Sequence, residues 1–325
     1  MGAGKQTVAD VGEAGLIARI QRYVKPRGAG VVVGIGDDAA LVRAVAPAAV
    51  LTTDMLVEDV DFRLAWATWS DIGHKAAAVN LSDLAAMGAR PRGLLLSLAL
   101  RPDIHVDDVM ALVRTLAQVG ARYGAPLVGG DLSKIDGPVV ASVTAIGEVD
   151  PKRALRRYGG RVGDLVLVSG ALGGAAAGLA ALQAGIATPL RKRQLRPTPN
   201  VALGVALAKS RLVQSAADIS DGLARDALHV APRGAGVAID AEALPIDRGV
   251  VELAARLGED PLRLAAAGGE DFELVLAVAP KNVVRVQALA RRHQCRLTVV
   301  GKIVKKSGVS LGRVPALTAF DHFRS

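Results

Sequence analysis

Apolar residues fall along this chain in two kinds of segment. Short aliphatic and β-branched runs at 31–35, 49–53, 93–100, 126–128 and 139–147 predict strands. Longer stretches at 71–88 and 106–123, with apolar residues three and four apart, predict helices. An amphipathic helix is expected earlier, over 11–25, where Leu16, Ile17, Ile20 and Val24 share one face. Strands that follow one another directly, beside strands separated by helices, predict an α+β architecture with a mixed sheet rather than a doubly wound one. The pattern breaks near residue 150, where the segment 147–164 combines Pro151, Gly159, Gly160 and several arginines and reads as an exposed connection. Beyond it, strands at 165–169, 237–239, 273–279 and 296–304, with helices near 173–184, 201–209, 222–231, 249–257 and 282–294, predict a second α/β layer domain. The expected division is therefore 1–150 and 151–325.

Composition fits that division. A chain of 325 residues, 51% of them hydrophobic, exceeds what one core usually supports and is rich enough for two. No run approaches the ~18 uncharged apolar residues of a membrane span, and the longest, GLLLSLAL at 93–100, has the length of a strand. The N-terminal segment has acids early and no apolar core of a leader, so no targeting segment is expected. The single cysteine, Cys295, excludes an intrachain disulfide and a cysteine zinc site, which fits a cytoplasmic protein in which it serves as a small buried hydrophobe.

Charge narrows the partners only slightly. Lys and Arg number 40 against 31 Asp and Glu, a net charge of +9. Such a surface attracts polyanions, whether nucleic acid, a membrane surface or phosphorylated small molecules. Aromatics make up 3% of the chain and are scattered rather than interleaved with arginine, which argues against a single-stranded nucleic-acid binder.

Against this basic average, four apolar segments run into carboxylates: VVVGIGDD at Asp37 and Asp38, AAVLTTD at Asp54, APLVGGD at Asp131, and QSAADISD at Asp218 and Asp221. A fifth acid, Asp83, lies among small and apolar residues in AAVNLSDLAAMGA. Carboxylates beside core-like strands require a partner or a cation. Mg²⁺ takes oxygen ligands, keeps several waters and joins a few protein carboxylates to substrate phosphates. Asp at strand ends, Gly34, Gly36, Gly129 and Gly130 beside them, hydroxyls at Thr52 and Thr53, and few histidines match that chemistry. Each motif alone is also a common turn or cap. No histidine pair has zinc spacing, and His74 and His322 are expected to be structural or peripheral. The segment GAGKQT at 2–7 mimics the tail of a P-loop but lacks its leading glycine and its strand. The glycine-rich stretch 168–182 offers backbone N–H groups to an anion, or close helix packing through Gly and Ala.

Taken together, GIGDDAALV, TTDMLVEDVDF, HKAAAVNLSDLAAMGARP, GGDLS, RPTP, AADISDGLARD, GGEDFEL and FDHF, in this order over residues 34–323, resemble the thiamine-monophosphate kinase family, within the aminoimidazole-ribonucleotide synthetase-like ATP-dependent enzymes. The resemblance implies two α/β-type domains per subunit and a homodimer formed through the N-terminal domains. It implies transfer of the γ-phosphoryl of ATP to the phosphate of thiamine monophosphate. Carried over, the magnesium ligands fall on Asp38, Thr52, Thr53, Asp54, Asp83, Asp131, Asp218 and Asp221, with Asp37 adjacent. ATP contacts fall on Gly130, Asp131, Arg157 and Ser220, and thiamine contacts on Glu270 and Phe320. The family commonly has a histidine where this chain has Asp61 before Phe62, so Asp61 is carried as a substrate contact of altered charge. The acceptor phosphate is already anionic, so the implied reaction needs positioning and charge neutralisation rather than a general base.

Related chemistries fit less well. A selenophosphate-synthetase-like enzyme needs a reactive residue near the N-terminus, and the sole cysteine is at 295. A carbamoyl-carrying hydrogenase-maturation relative ends in cysteine, whereas this chain ends Arg324-Ser325. An aminoimidazole-ribonucleotide synthetase lacks the TTDMLVEDVDF and FDHF pattern. A basic metal-dependent nucleic-acid binder would show salt-sensitive retention on DNA and no ATP turnover, and its phosphate backbone would be repelled by these acids.

Overall fold

The computed structural model describes residues 31–33, 40–42 and 48–312. The helix expected over 11–25, the Asp37-Asp38 pair and the FDHF segment lie outside them.

Six strands form a first sheet: β1 (Val31–Val33), β2 (Ala40–Val42), β3 (Ala48–Val57), β4 (Arg90–Leu100), β5 (Leu127–Lys134) and β6 (Val140–Val149). Their order is β1-β2-β3-β6-β4-β5, antiparallel except for the parallel β4/β5 pair. That pair is joined by a crossover helix, as parallel neighbours require. Helix α1 (Trp69–Ala86) lies against β3 and β6, and helix α2 (Val106–Arg122) packs on α1. A reciprocal capping box between Thr68 and Asp71 starts α1. Most of α1 is buried, from Ile72 through Ala76, Leu81 and Leu84 to Ala86. A helix apolar on nearly every side is one surrounded by neighbours, and its small residues let them come close: a Cβ at Gly73 would stand 2.2 Å from Leu112 O.

Among the described residues nothing covers the opposite face of this sheet. β6 alternates buried residues such as Val143 and Ala145 with partly exposed Thr144 and Ile146. On β3 the side chains of Leu51 and Met55, on the same face as Thr144 and Ile146, are exposed.

The second sheet comprises β7 (Leu165–Ser169), β8 (Val213–Asp218), β9 (Gly236–Ile239), β10 (Leu274–Val278), β11 (Leu297–Val304) and β12 (Gly308–Leu311). The order is β12-β9-β11-β7-β10-β8, antiparallel except for β12/β9. The accompanying helices are α3 (Gly174–Gln183), α4 (Arg191–Leu195), α5 (Val201–Ser210), α6 (Leu223–Asp226), α7 (Arg248–Leu257), α8 (Pro261–Ala267) and α9 (Val283–Arg292). The α+β class with mixed sheets agrees with the sequence expectation. Strands β2, β8 and β12 and helices α4 and α8 were not legible in the pattern, and 222–231 divides into α6 and a 3₁₀ turn at Ala227–Val230.

Every residue of β10 is buried, because both faces of the second sheet are covered. Leu274, Leu276 and Val278 enter a core continuous with that of the first half, while Val275 and Ala277 enter a second core with Val166, Val168 and Ala265. The two sheets thus share one hydrophobic interior, with α1 as its centre: α1 also touches α5 and β8. Among the described residues no helix is long and apolar enough to cross a membrane.

Candidate active site

A cleft of about 680 Å³ opens between the halves. Its wall brings together Thr52, Thr53, Asp54, Asp61, Asp83, Arg157, Asp218, Ser220, Asp221 and Glu270, ten of the positions singled out in the sequence.

The acids arrive from separate elements: Asp54 from β3, Asp83 from α1, Asp218 from the end of β8 and Asp221 from the turn that follows it. Each is fixed by neighbours. The Thr52 hydroxyl donates to Asp83 Oδ2 at 2.5 Å. The Asp54 backbone N–H donates to Asn80 Oδ1 at 3.0 Å, and Asn80 is itself buried and donates to Ala76 O. The Ser82 hydroxyl reaches Asp218 Oδ2 at 2.7 Å, linking the two halves. Asp221 receives the Arg225 guanidinium at 3.3 Å.

Asp54 and Asp83 keep some surface open to the cleft but stand deep among protein atoms. Burial is the largest force on both carboxyls. It lifts Asp54 to about 6, with the Asp218 charge adding to the effect. It holds Asp83 well above the carboxylate range, with Asp54 and Asp218 adding repulsion. A hydrogen bond between the two lowers Asp54 and raises Asp83, the behaviour of paired carboxyls sharing a proton. Asp218 is raised by burial and pulled back by Ser82 and by the Arg157 charge. The acids offer only oxygen donors, and Arg63, Arg157 and Arg263 line the same cleft. Among the described residues no three His, Cys, Asp or Glu side chains form a grouping that could hold a metal ion by themselves.

Some positions fall elsewhere. Gly130 and Asp131 lie on β5, the exposed edge of the first sheet, and do not line the cleft. Gly130 is required there by the backbone, since a Cβ would stand 1.8 Å from Leu96 O. The Thr53 hydroxyl donates to Val143 O and accepts from Thr144. Asp38 and Phe320 lie outside the described residues.

Asp61 turns its carboxylate back on its own loop, accepting from Val57 N at 2.8 Å. Glu270 takes a left-handed backbone (φ 67°), uncommon for a non-glycine residue, and its N–H donates to Ser220 O at 2.7 Å. The preceding Gly269 permits that contact, because its Cβ would meet Ser220 O at 2.5 Å. The Glu270 carboxylate accepts from Gln194 and pairs with Lys75.

Residues the sequence left unmarked support these groups. Asp226, 1% exposed, accepts from Asp221 N at 2.9 Å and so fixes the metal-like SDG turn from beneath. Burial and the nearby Asp221 hold its carboxyl well above the usual range. Its neighbour His229 is pushed to about 3 by burial and the Arg157 and Arg225 charges, so it stays neutral. The spacing SDGLARD was the available signal. His74 is structural, its Nε2 donating to Pro197 O at 2.9 Å in the RPTP segment. Cys295 is half-buried, and burial pushes its thiol up.

The glycine-rich turn before α3 does meet an anion, one from this chain. Asp271 is buried and accepts from Gly173 N at 2.7 Å and Ala175 N at 3.1 Å. Burial outweighs those two bonds and lifts its carboxyl to about 7. The proton is thus held more tightly in the folded chain than near 4 in the unfolded one, so this stabilisation is complete at low pH and is lost as pH rises through 7. The Asp271→Asn variant, which cannot ionise, is expected to gain melting temperature relative to the wild type as pH rises from 4 to 7. Parallel melting curves across that range would show that Asp271 does not titrate there.

The chain is similar to known proteins over most of its length. Residues 36–149 match the AIR synthase related protein N-terminal domain, and 161–313 its C-terminal domain. The thiamine-monophosphate kinase of Mycobacterium tuberculosis is 41% identical over 83% of this chain and 81% of its own. That of Rhodopirellula baltica is 35% identical over 86% of this chain and 85% of its own. The solved structure of AaThiL complexed with AMPPCP and TMP superposes with a TM-score of 0.86 at 30% identity, over 98% of this chain and 100% of that one.

Proposed function

Since the chain belongs to the thiamine-monophosphate kinase family of AIR synthase related proteins, we propose that it transfers the γ-phosphoryl group of ATP directly to the phosphate of thiamine monophosphate, giving ADP and thiamine diphosphate. The observation that carries this reading is the convergence of Asp54, Asp83 and Asp218 from both halves into one cleft that also receives Arg157. A relative bound to an ATP analogue and TMP supports the pair of substrates.

Two phosphate-bearing substrates repel one another, and an acidic cleft would repel both. Burial raises Asp54, Asp83 and Asp218, and the Asp218 charge adds to the raising of the other two; the carboxylate and hydroxyl oxygens gathered here suit Mg²⁺. Mg²⁺ normally combines one or two protein carboxylates with substrate phosphates rather than filling an all-protein cage, which accounts for the lack of a preformed three-ligand grouping among the described residues. Thr52, Thr53, Asp54, Asp83, Asp218 and Asp221, which line the cleft, are its proposed ligands; Asp38, outside the described residues, is proposed with them, whereas Asp131 stands on the outer edge strand β5. When bound, it supplies neutralisation of phosphate charge and of the charge developing in transfer. The residues of the chain then position: Arg157, with two-pronged geometry for phosphate oxygens, and Ser220 hold the nucleotide, while Glu270, Asp61 and Phe320 are the proposed contacts of thiamine. No base is required, because the attacking oxygen carries its charge already.

The uncovered face of the first sheet supports the second part of the proposal, a homodimer through the N-terminal half. An antiparallel sheet exposes one face to water readily when that face is polar; here Leu51 and Met55 of β3 occupy it beside Ile146 of β6. Gly130 and Asp131 lie on the outer edge of that sheet. Purified protein given thiamine monophosphate, Mg²⁺ and ATP is expected to release ADP and thiamine diphosphate and to sediment at twice the chain mass. Absence of thiamine diphosphate over a range of Mg²⁺ concentrations would refute the activity, and a monomer in sedimentation would refute the assembly.

A further inference from the structure

Lys75 is the only buried Lys or Arg among the described residues, 2% exposed on the first turns of α1. It does not line the cleft. Its Nζ stands 2.6 Å from Glu270 Oε1 and donates to the carbonyl oxygen of Asp61 at 3.0 Å. Those two partners belong to different halves, and both face the cleft. Each is locked in turn: Asp61 through its carboxylate on Val57 N, Glu270 through Gln194 and through its N–H on Ser220 O.

A buried ammonium is tolerated only where an anion and hydrogen-bond acceptors replace its water. The compact lysine head, with three donors, can serve acceptors on two chain segments at once. We propose that Lys75 is the positioning residue for the acceptor side of the cleft: it clasps the 57–62 turn of the first half to the 268–272 turn of the second, and so sets the spacing between Asp61 and Glu270. This rests on the kinase reading above, since the substrate named is thiamine monophosphate. The left-handed backbone of Glu270 makes the arrangement dependent on the clasp, because such a conformation persists only where its surroundings hold it.

The test compares Lys75→Met and Lys75→Gln with the wild type. Loss of one partner of a buried pair leaves the other charge uncompensated, so the KM for thiamine monophosphate is expected to rise about tenfold or more while that for ATP changes by less than about threefold. In the ligand-free protein, amide exchange is expected to quicken across 57–62 and 268–272. The second substitution keeps an amide donor and a similar stem, so it carries the test where the methionine variant folds poorly. Unchanged KM values with unchanged exchange would overturn the proposal. So would an equal rise in both KM values, which is what general destabilisation produces. A wild type that forms no thiamine diphosphate refutes the activity alone, and the exchange measurement still decides the clasp.

Discussion

Asp54→Asn is expected to lower turnover by about a hundred- to a thousandfold, the range for removing one group that stabilises transferring charge, and at the same time to make the metal-free protein more stable above pH 6. Both effects have one cause. Asp54 is raised to about 6 by burial, with Asp218 and Asp61 adding repulsion. Its folded value exceeds its unfolded value, so its favourable contribution is complete below about 4 and is lost as pH rises through 6. An amide of the same shape carries no charge into that environment. Above pH 6 the variant therefore avoids a repulsion that the wild type carries, the trade of stability for function expected of a site residue. Added Mg²⁺ and ATP should reverse the order, raising the melting temperature of the wild type more than that of the variant. Near-wild-type turnover would remove Asp54 from the transfer site, and a variant less stable than the wild type at pH 8 would refute the electrostatic account.

How far the sequence disclosed this site depends on how each residue is held. Asp54, Asp83 and Asp218 were visible because a carboxylate beside an apolar run is locally anomalous. β7 and β10 were visible because both faces of their sheet are buried and the runs are aliphatic but for the terminal Ser169 of β7. β8 was not, since Gln214 and Ser215 interrupt its pattern; the Ser215 hydroxyl is satisfied by distant backbone, donating to Arg156 O and accepting from Gly159 N. Asp226 and Lys75 were missed for the same reason. Lys75 on an otherwise apolar helix reads as an exposed charge until Glu270, 195 positions on, is folded against it. The glycine-rich turn before α3 showed its capacity for an anion, but only the fold showed that Asp271 provides it. Asp131 reads like its sister acids along the chain, yet its strand is the exposed edge of the first sheet.

The same dependence on distant contacts makes Gly204→Val the substitution with the largest expected effect on the fold. Gly204 lies in α5 where it crosses α1, and a Cβ there would stand 2.1 Å from Ala85 O and 2.8 Å from Ala85 C. Those are backbone atoms of a buried helix, so neither side can yield by turning a side chain. The neighbouring crossing is equally close: a Cβ at Gly88, already at a left-handed φ of 65°, would meet Ala208 Cβ at 2.4 Å. Helices α1 and α5 must separate to accept the branch, which opens the interior that Leu84, Leu203 and Leu207 fill together. Overpacking of this kind costs about 1–3 kcal/mol and occasionally more, and the backbone contact puts this position at the upper end. Its functional consequence follows from what α1 carries. Asp83 and Ser82 are on that helix and Asp218 is on the other half, joined by the 2.7 Å Ser82 bond. A shift of α1 against α5 alters the spacing of the acids across the cleft, and a displacement near 1 Å can cost about a hundredfold in rate. The expected result is a lowered melting temperature together with a fall in turnover at saturating ATP and thiamine monophosphate. Wild-type turnover in a protein of clearly lowered melting temperature would show that the α1/α5 contact maintains the fold without setting the geometry of the site.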